Sequence, residues 1–353
     1  MQWGSIYRWY MQSFVPLFQT LNMSSEGASL PIIDLKRAKV DRQLEAKNVV
    51  NVLENVGFAF IDNVDGIDYE GLWDCCQWIF SKPQEFKKKL TRKFWVPEND
   101  NIYRGFFPIV PGEPSRKEAF EFARDVHPDD KTVSPKNWFY EKSTWPEEDG
   151  TFPFQEFLKG QYEVMHEACM ELLRLCAIGL GIKEDSFQDI FDPNPCSTFR
   201  LLHYPPWDGA PPANALIEDG KVVTTPEHTD SCFMTLLSTF HFKGLEVMLS
   251  DGKWAEVQPR PGSLVMNIGD TFSRMLGGRF KKTKHRVTDI GVDRFSVPFF
   301  LEPKFNGDIG INFLAQHTGN GPAHVSERYG PWVLRTMKAK NYFEYRVLPE
   351  IDE

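Results

Sequence analysis

The chain has 353 residues, 41% of them apolar and 25% charged, the balance of a folded globular protein with room for one large domain or two ordinary ones. A net charge of −9, with no domain-sized basic stretch, argues against a nucleic-acid partner. No apolar run approaches the ~20 residues of a membrane span, so no membrane association is expected.

The first 22 residues lack acids and mix aromatic with polar side chains; Gln12, Ser13 and Gln19 interrupt any signal-like apolar stretch. They are expected to form an extension outside the fold, with Met23 a candidate natural start. Leu30–Leu35 has the pattern of a short strand. Val40, Leu44, Val49, Leu53 and Val56 recur at near-helical spacing and predict a helix over 40–56, with Gly57 as its C-cap. Phe58–Ile61 is a compact apolar strand, and another helix is expected over 68–80. Ser81 can cap a third helix with Pro83 in its first turn. Residues 97–150, rich in Pro, Asp, Glu and Trp, lack periodicity and predict a long ordered loop. A long helix over 154–180 stops at Gly179 and Gly181. Beyond about 195, short apolar runs alternate with turn signals: Phe199–Leu202, Met234–Leu237, Leu245–Met248, Trp254–Val257, Leu264–Ile268 and Phe295–Leu301. Asp251-Gly252 and Pro261-Gly262 mark turns between them. The helical first half and β second half predict an α+β fold, helices outside a jelly-roll core. Near its end, His317–Gly321 has the composition of a hinge and Tyr329–Leu334 that of a helix. The six cysteines have no C-x-x-C spacing. They exclude a zinc ribbon and fit buried thiols in a reducing, cytoplasmic setting.

The chemistry concentrates in His228-Thr229-Asp230 and His285. Two imidazoles and one carboxylate on one side of a metal form the 2-His-1-carboxylate facial triad of non-haem Fe(II) oxygenases, which leaves positions open for co-substrate and dioxygen. On a strand, His228 and Asp230 would share a face as residues i and i+2. Arg294-Phe295-Ser296 follows; the arginine fork can grip a carboxylate bidentately, and Ser296 adds a hydroxyl on the same face. Lys281, Lys282, Lys284 and Arg286 are expected to form a solvated hairpin, and Lys87–Lys89 a solvated helix face. His203 either lines the pocket or is a hydrogen-bonded core histidine. His127, His166, His241, His317 and His324 lack ligand spacing. Phe106, Phe107 and Phe299 are pocket-wall candidates, with core packing the default.

In this order and spacing, Glu227–Asp230, Thr235–Leu237, Gly244–Val247, Asp251–Trp254, Pro261–Val265, Asn267–Asp270, His285–Val287 and Arg294–Ser296 resemble the iron and 2-oxoglutarate-dependent dioxygenase superfamily, in its isopenicillin N synthase-like branch. Leu30–Leu35, Gly57-Phe58, Gly105–Pro108 and Lys117–Phe120 extend the resemblance toward the N-terminus. It implies a double-stranded β-helix (jelly-roll) core flanked by N- and C-terminal helices. The implied division is an extension over 1–28, an N-terminal dioxygenase region over 29–150, the long helix and core over 151–302, and a C-terminal helix or lid over 303–353. It also implies Fe(II) at His228, Asp230 and His285, with Arg294, Ser296 and Tyr204 holding the far carboxylate of 2-oxoglutarate. The implied reaction uses O2 to oxidise a C–H bond of a small organic substrate, with release of succinate and CO2, in a monomeric enzyme. An anionic third ligand at Asp230 disfavours halogenation. Two departures stand out: Leu202 replaces the asparagine common in plant members, which questions part of the co-substrate network, and Asp62–Gly66 replaces an Asn-His-Gly turn. The alternatives are an Fe(II) oxidase of the isopenicillin N synthase type that uses no keto acid, and a non-catalytic β-helix protein that binds a metal or ligand.

Overall fold

The structure, a computed structural model, describes residues 22–24, 27–110, 116–126, 133–134, 136–207, 209–211, 213–340, 348 and 351. The expected extension lies largely outside the described residues, as does His127; Asn22–Ser24 pairs with Gly27–Ser29 as a short antiparallel hairpin. The helix expected over 40–56 is two. Leu35–Val40 is capped by Asp34, which accepts from the Lys36 and Arg37 amides, and Arg42–Asn55 is capped by Asp41, which accepts from Leu44. Val40 ends the first helix 87% exposed, so it never joined the apolar stripe. Gly57 follows with φ +73°, and a Cβ there would meet the Lys281 carbonyl at 1.9 Å. Asp68 caps Tyr69–Phe80. Pro83, not Ser81, occupies the cap of Gln84–Lys88, while the Ser81 hydroxyl donates back to the Trp78 carbonyl. Phe154–Leu180 runs on through Gly179 to a left-handed Gly181. Gly179 marks a close helix crossing instead, since a Cβ would strike the Ala46 carbonyl at 2.4 Å.

Residues 97–150 are not only loop. Gly105–Phe107 and Glu118–Phe122 are strands, and Trp138–Tyr140 is a 3-10 turn. Both strands are short and separated by Pro- and Gly-rich chain, which hides their period. In the large sheet the strand order is Ile32–Asp34, Phe58–Asp62, Ser263–Ile268, Met234–Ser238, Arg294–Leu301, Thr198–Tyr204, Glu118–Phe122 and Gly105–Phe107. The second sheet orders Trp254–Glu256, Leu245–Met248, His285–Thr288, Lys221–His228 and Ile217–Glu218. Among the described strands of these two sheets, every pairing except Ile32–Asp34 with Phe58–Asp62 is antiparallel. Helices and a two-sheet core make this the expected α+β jelly roll.

The main core joins the long helix (Leu158, Met165, Leu172) to the outward face of the large sheet (Phe199, Phe295, Phe299), and Phe106 and Phe299 belong to it. Two smaller apolar clusters complete the packing. One holds Phe58, Phe60, Val247 and Val265; the other holds Phe107, Ala119, Leu202 and Tyr204, with Trp95 and Val287 against it. The predicted C-terminal helix spans Tyr329–Lys340, and Tyr329, Val333 and Met337 bury into the main core. The expected hinge is partly helix, Phe313–Thr318, closed by Gly319 at φ +69°.

Two basic groups are not solvated as expected. Lys87 is buried and donates to Glu118 at 3.0 Å. Arg286 is buried and holds Glu246, Glu218 and Asp219. Lys282 and Lys284, more exposed, pair with Asp270 and Glu227. All six cysteines are buried free thiols.

Glu302, just past the last core strand, is buried; Tyr329 donates to its Oε1 at 2.7 Å and its Oε2 has no partner. Burial pushes its pKa up to about 7 from 4.5. Between those values the folded state binds the extra proton, so the contribution of Glu302 to stability falls as pH rises through that window and is smallest above pH 7. Glu302→Gln is expected to unfold like wild type near pH 4 but to exceed it by roughly 3 kcal/mol at pH 8. Urea melts at both pH values test this; a gap that does not grow with pH refutes it.

Candidate metal and co-substrate site

The chain brings the three sequence-predicted ligands together. His228 ends one strand of the second sheet, His285 begins its neighbour, and the two are direct cross-strand partners with rings 4.1 Å apart. Their Nε2 atoms lie 3.6 and 3.7 Å from Asp230 Oδ1, and the three potential ligand atoms sit within 4.8 Å of one another. Asp230 does not share a strand face with His228, because the strand stops at His228. It sits in the following bend, where its carbonyl accepts from the Asp270 amide at 2.7 Å.

Each donor atom has its direction fixed. His228 Nδ1–H donates to the Pro226 carbonyl at 2.8 Å and His285 Nδ1–H to that of Thr283 at 3.3 Å, which leaves both Nε2 lone pairs facing inward. Asp230 Oδ2 accepts from Thr235 at 2.7 Å and Asn267 at 2.8 Å, which leaves Oδ1 for the centre. Burial opposes ionisation of Asp230, but His285, His228 and the two hydrogen bonds outweigh it and hold its pKa at about 2. Burial, then the neighbouring His285, lowers His228 to about 4. At neutral pH the site therefore offers an anion and a neutral imidazole, the forms a metal requires.

Thr235 and Asn267 lie inside the resembling motifs, but no local pattern marked their role. They face each other across adjacent strands. Gly269, two residues on, lets the backbone close behind Asp230: a Cβ would meet the Cys232 carbonyl at 2.0 Å and that of Asp230 at 2.9 Å. Gly269→Ala must therefore shift the Asp230 bend. A loss of roughly 10–100-fold in Fe(II) affinity is expected, as for other supports of metal ligands. Calorimetric titration with Fe(II) under argon checks it, and unchanged affinity would contradict the role given to the bend.

Arg294 and Tyr204 are direct partners across the large sheet, and Ser296 faces Leu202. The Arg294 guanidinium lies 4.7 Å from the Tyr204 ring, 3% exposed, and its Nε and Nη1 have no hydrogen-bond partner. Burial lowers its pKa. A buried guanidinium with unused donors costs several kcal/mol unless an anion arrives. That fits residues placed to receive a carboxylate co-substrate. Leu202 supplies no polar atom and joins the apolar cluster with Tyr204. Between sheets, His285 stands edge-on to Phe58, and Val287 on the same strand packs against that cluster.

His203 faces the other way, its ring nitrogens 2.8 Å from Glu118 and 2.7 Å from Asp293. It lines a groove of about 1050 Å³ with Trp73, Phe80, Phe242 and Phe295 on the outer face of the large sheet. Because Phe295 points there, Arg294 and Ser296 point inward, and the sheet separates groove from triad.

Residues 195–303 match the 2OG-Fe(II) oxygenase superfamily, and residues 30–148 match the N-terminal region described for a non-haem dioxygenase in morphine synthesis. The 2-oxoglutarate-dependent dioxygenase citB of Monascus ruber is 30% identical over 243 residues, 64% of this chain and 72% of that protein. Isopenicillin N synthase of Streptomyces clavuligerus is 24% identical over 324 residues, 89% of this chain and 97% of that one. In fold, the chain is similar to a full-length Neurospora crassa protein crystallised with alpha-KG and thymine (TM-score 0.72, 21% identity, 91% of this chain and 100% of that one). It is also similar to the rice dioxygenase for auxin oxidation (TM-score 0.64, 22% identity, 89% and 96%). The chain belongs to the 2OG-Fe(II) oxygenase superfamily. Its activity class is that of an iron- and 2-oxoglutarate-dependent dioxygenase, an oxidoreductase that uses O2. No described helix is long and apolar enough to cross a membrane.

Proposed function

We propose that His228, Asp230 and His285 hold Fe(II), that Arg294, Ser296 and Tyr204 hold the far carboxylate of 2-oxoglutarate, and that the enzyme hydroxylates a C–H bond of a small organic molecule. The observation that carries this is the buried Arg294 fork with two unused donors, on the inward face of the sheet opposite the one that carries His228 and His285. When bound, Fe(II) with 2-oxoglutarate and O2 supplies the oxidising power, releasing succinate and CO2. The chain's own residues do the rest. Pro226 and Thr283 orient the imidazoles, Thr235 and Asn267 orient the carboxylate, and Arg294 fixes the keto acid's register. The apolar cluster of Phe107, Leu202 and Tyr204 keeps water from the chamber. A small-molecule substrate accords with the thymine held by the Neurospora protein and with the net charge of −9, which disfavours nucleic acid.

The test is anaerobic titration of the protein with Fe(II) and 2-oxoglutarate, followed by aerobic assay for succinate. A visible chelate band and slow succinate release support the reading. Fe(II) binding without a band, and oxygen uptake without succinate, would turn it toward an oxidase that needs no keto acid.

A further inference from the structure

Resting on that reading of the site, we propose that Lys117 is the specificity residue that anchors the primary substrate, and that this substrate carries a single negative charge, a carboxylate, on an apolar body.

Lys117 directly precedes the strand Glu118–Phe122, which pairs with Thr198–Tyr204 so that Glu118 faces His203 and Ala119 faces Leu202. Alternation sends Glu118 to the outer face, where Lys87 and His203 engage it. Lys117 and Ala119 turn inward, and Ala119 packs with Leu202 and Tyr204. The Lys117 ammonium reaches across to the second sheet, 3.5 Å from Thr225 Oγ1. Thr225 is the cross-strand partner of Val287, two residues from His285. The cation thus stands between the two sheets, against the strand that ends at His228.

Lys117 is half-buried and has no carboxylate partner among the described residues. Its neighbours differ. Lys87 holds Glu118, Lys282 holds Asp270, Lys284 holds Glu227 and Arg286 holds three acids. Partly removing an ammonium from water without a counter-ion is unfavourable, so a ligand that supplies one is favoured at this position. The two carboxylates of 2-oxoglutarate already have counterparts, one at the metal centre and one at Arg294. Lys117 remains for the second reactant. One cation matches one negative charge, and the surrounding Trp95, Phe107, Leu202 and Val287 match an apolar or aromatic body.

The experiment uses the full chain with Fe(II) and 2-oxoglutarate under argon, and follows the perturbation of the chelate band by 4-phenylbutyrate, cinnamate and indole-3-propionate, each beside its primary amide. For the wild type, the acids are expected to bind ~10–100-fold more tightly than the amides, the range of a charge-assisted contact. Lys117→Met keeps the aliphatic stem and removes the charge. It is expected to bring acid and amide to within ~2-fold of each other, with the loss falling on the acids and not on 2-oxoglutarate. Equal binding of acids and amides by the wild type, or no response to any acid, overturns the assignment. So does a Lys117→Met variant whose affinity for 2-oxoglutarate falls as far as that for the acids, because Lys117 would then serve the co-substrate. Failure of the chelate band to form in the wild type overturns the reading of the site itself, which separates the two failures.

Discussion

Arg294→Ala is expected to weaken 2-oxoglutarate binding ~10²–10³-fold, the loss typical when a desolvated charge pair loses one partner. Fe(II) binding should change little, since Arg294 contacts none of the triad residues. The geometry adds a second, less usual expectation. Truncating a large core side chain ordinarily costs ~2–5 kcal/mol. Here the side chain buries a guanidinium with unpaired Nε and Nη1, so removal also relieves a desolvation penalty. Without ligand, the variant should therefore melt close to wild type. Adding 2-oxoglutarate at ~100 times its Kd should stabilise the wild type by about 2.7 kcal/mol and the variant hardly at all. Arg294→Lys should recover only part of the affinity, because a point charge cannot reproduce the two-pronged contact. Melts with and without 2-oxoglutarate, beside the band titration, decide it. Equal ligand stabilisation in both proteins would remove Arg294 from the co-substrate site.

The strands that carry the histidines were among those hydrophobic periodicity did not find. Lys221–His228 contains Pro226 and mixed exposure, and His285–Thr288 has one apolar residue in four positions. Strands that line a reaction chamber turn polar side chains inward, so alternation fails where the chemistry is. The ligand types and their spacing remained legible, and the fold brings those three side chains together. The supports of Asp230 were not legible as such: Thr235 and Asn267 meet only because their strands pair in one register. Lys87 and Arg286 looked solvated for the same reason. Their partners Glu118 and Glu246 are distant in sequence and adjacent only after folding. Conversely, the long helix, Gly57 and the Asp251-Gly252 turn follow from local sequence, and the structure has them where the pattern puts them.

Asp230→Ala should cost the most at the metal. Its carboxylate is the one anionic group of the triad, and its neighbours keep it ionised down to a pKa of about 2. Alanine leaves two imidazoles 4.1 Å apart, and strands the Thr235 hydroxyl and Asn267 amide without their acceptor. Loss of a buried charge partner of about 4 kcal/mol corresponds to ~10³-fold weaker Fe(II) binding. Asp230→Asn separates charge from shape. It keeps the volume, but it turns an NH2 either toward Thr235 and Asn267, which already donate, or toward the histidine lone pairs. It should therefore lose nearly as much as alanine. Succinate release in both variants should fall with metal occupancy and recover in part at high Fe(II). Calorimetry with Fe(II) and the succinate assay over a range of metal concentrations measure both effects. Fe(II) affinity within tenfold of wild type in Asp230→Ala would mean that the carboxylate is not a ligand, and that the convergence of Oδ1 on the two Nε2 atoms serves the fold instead.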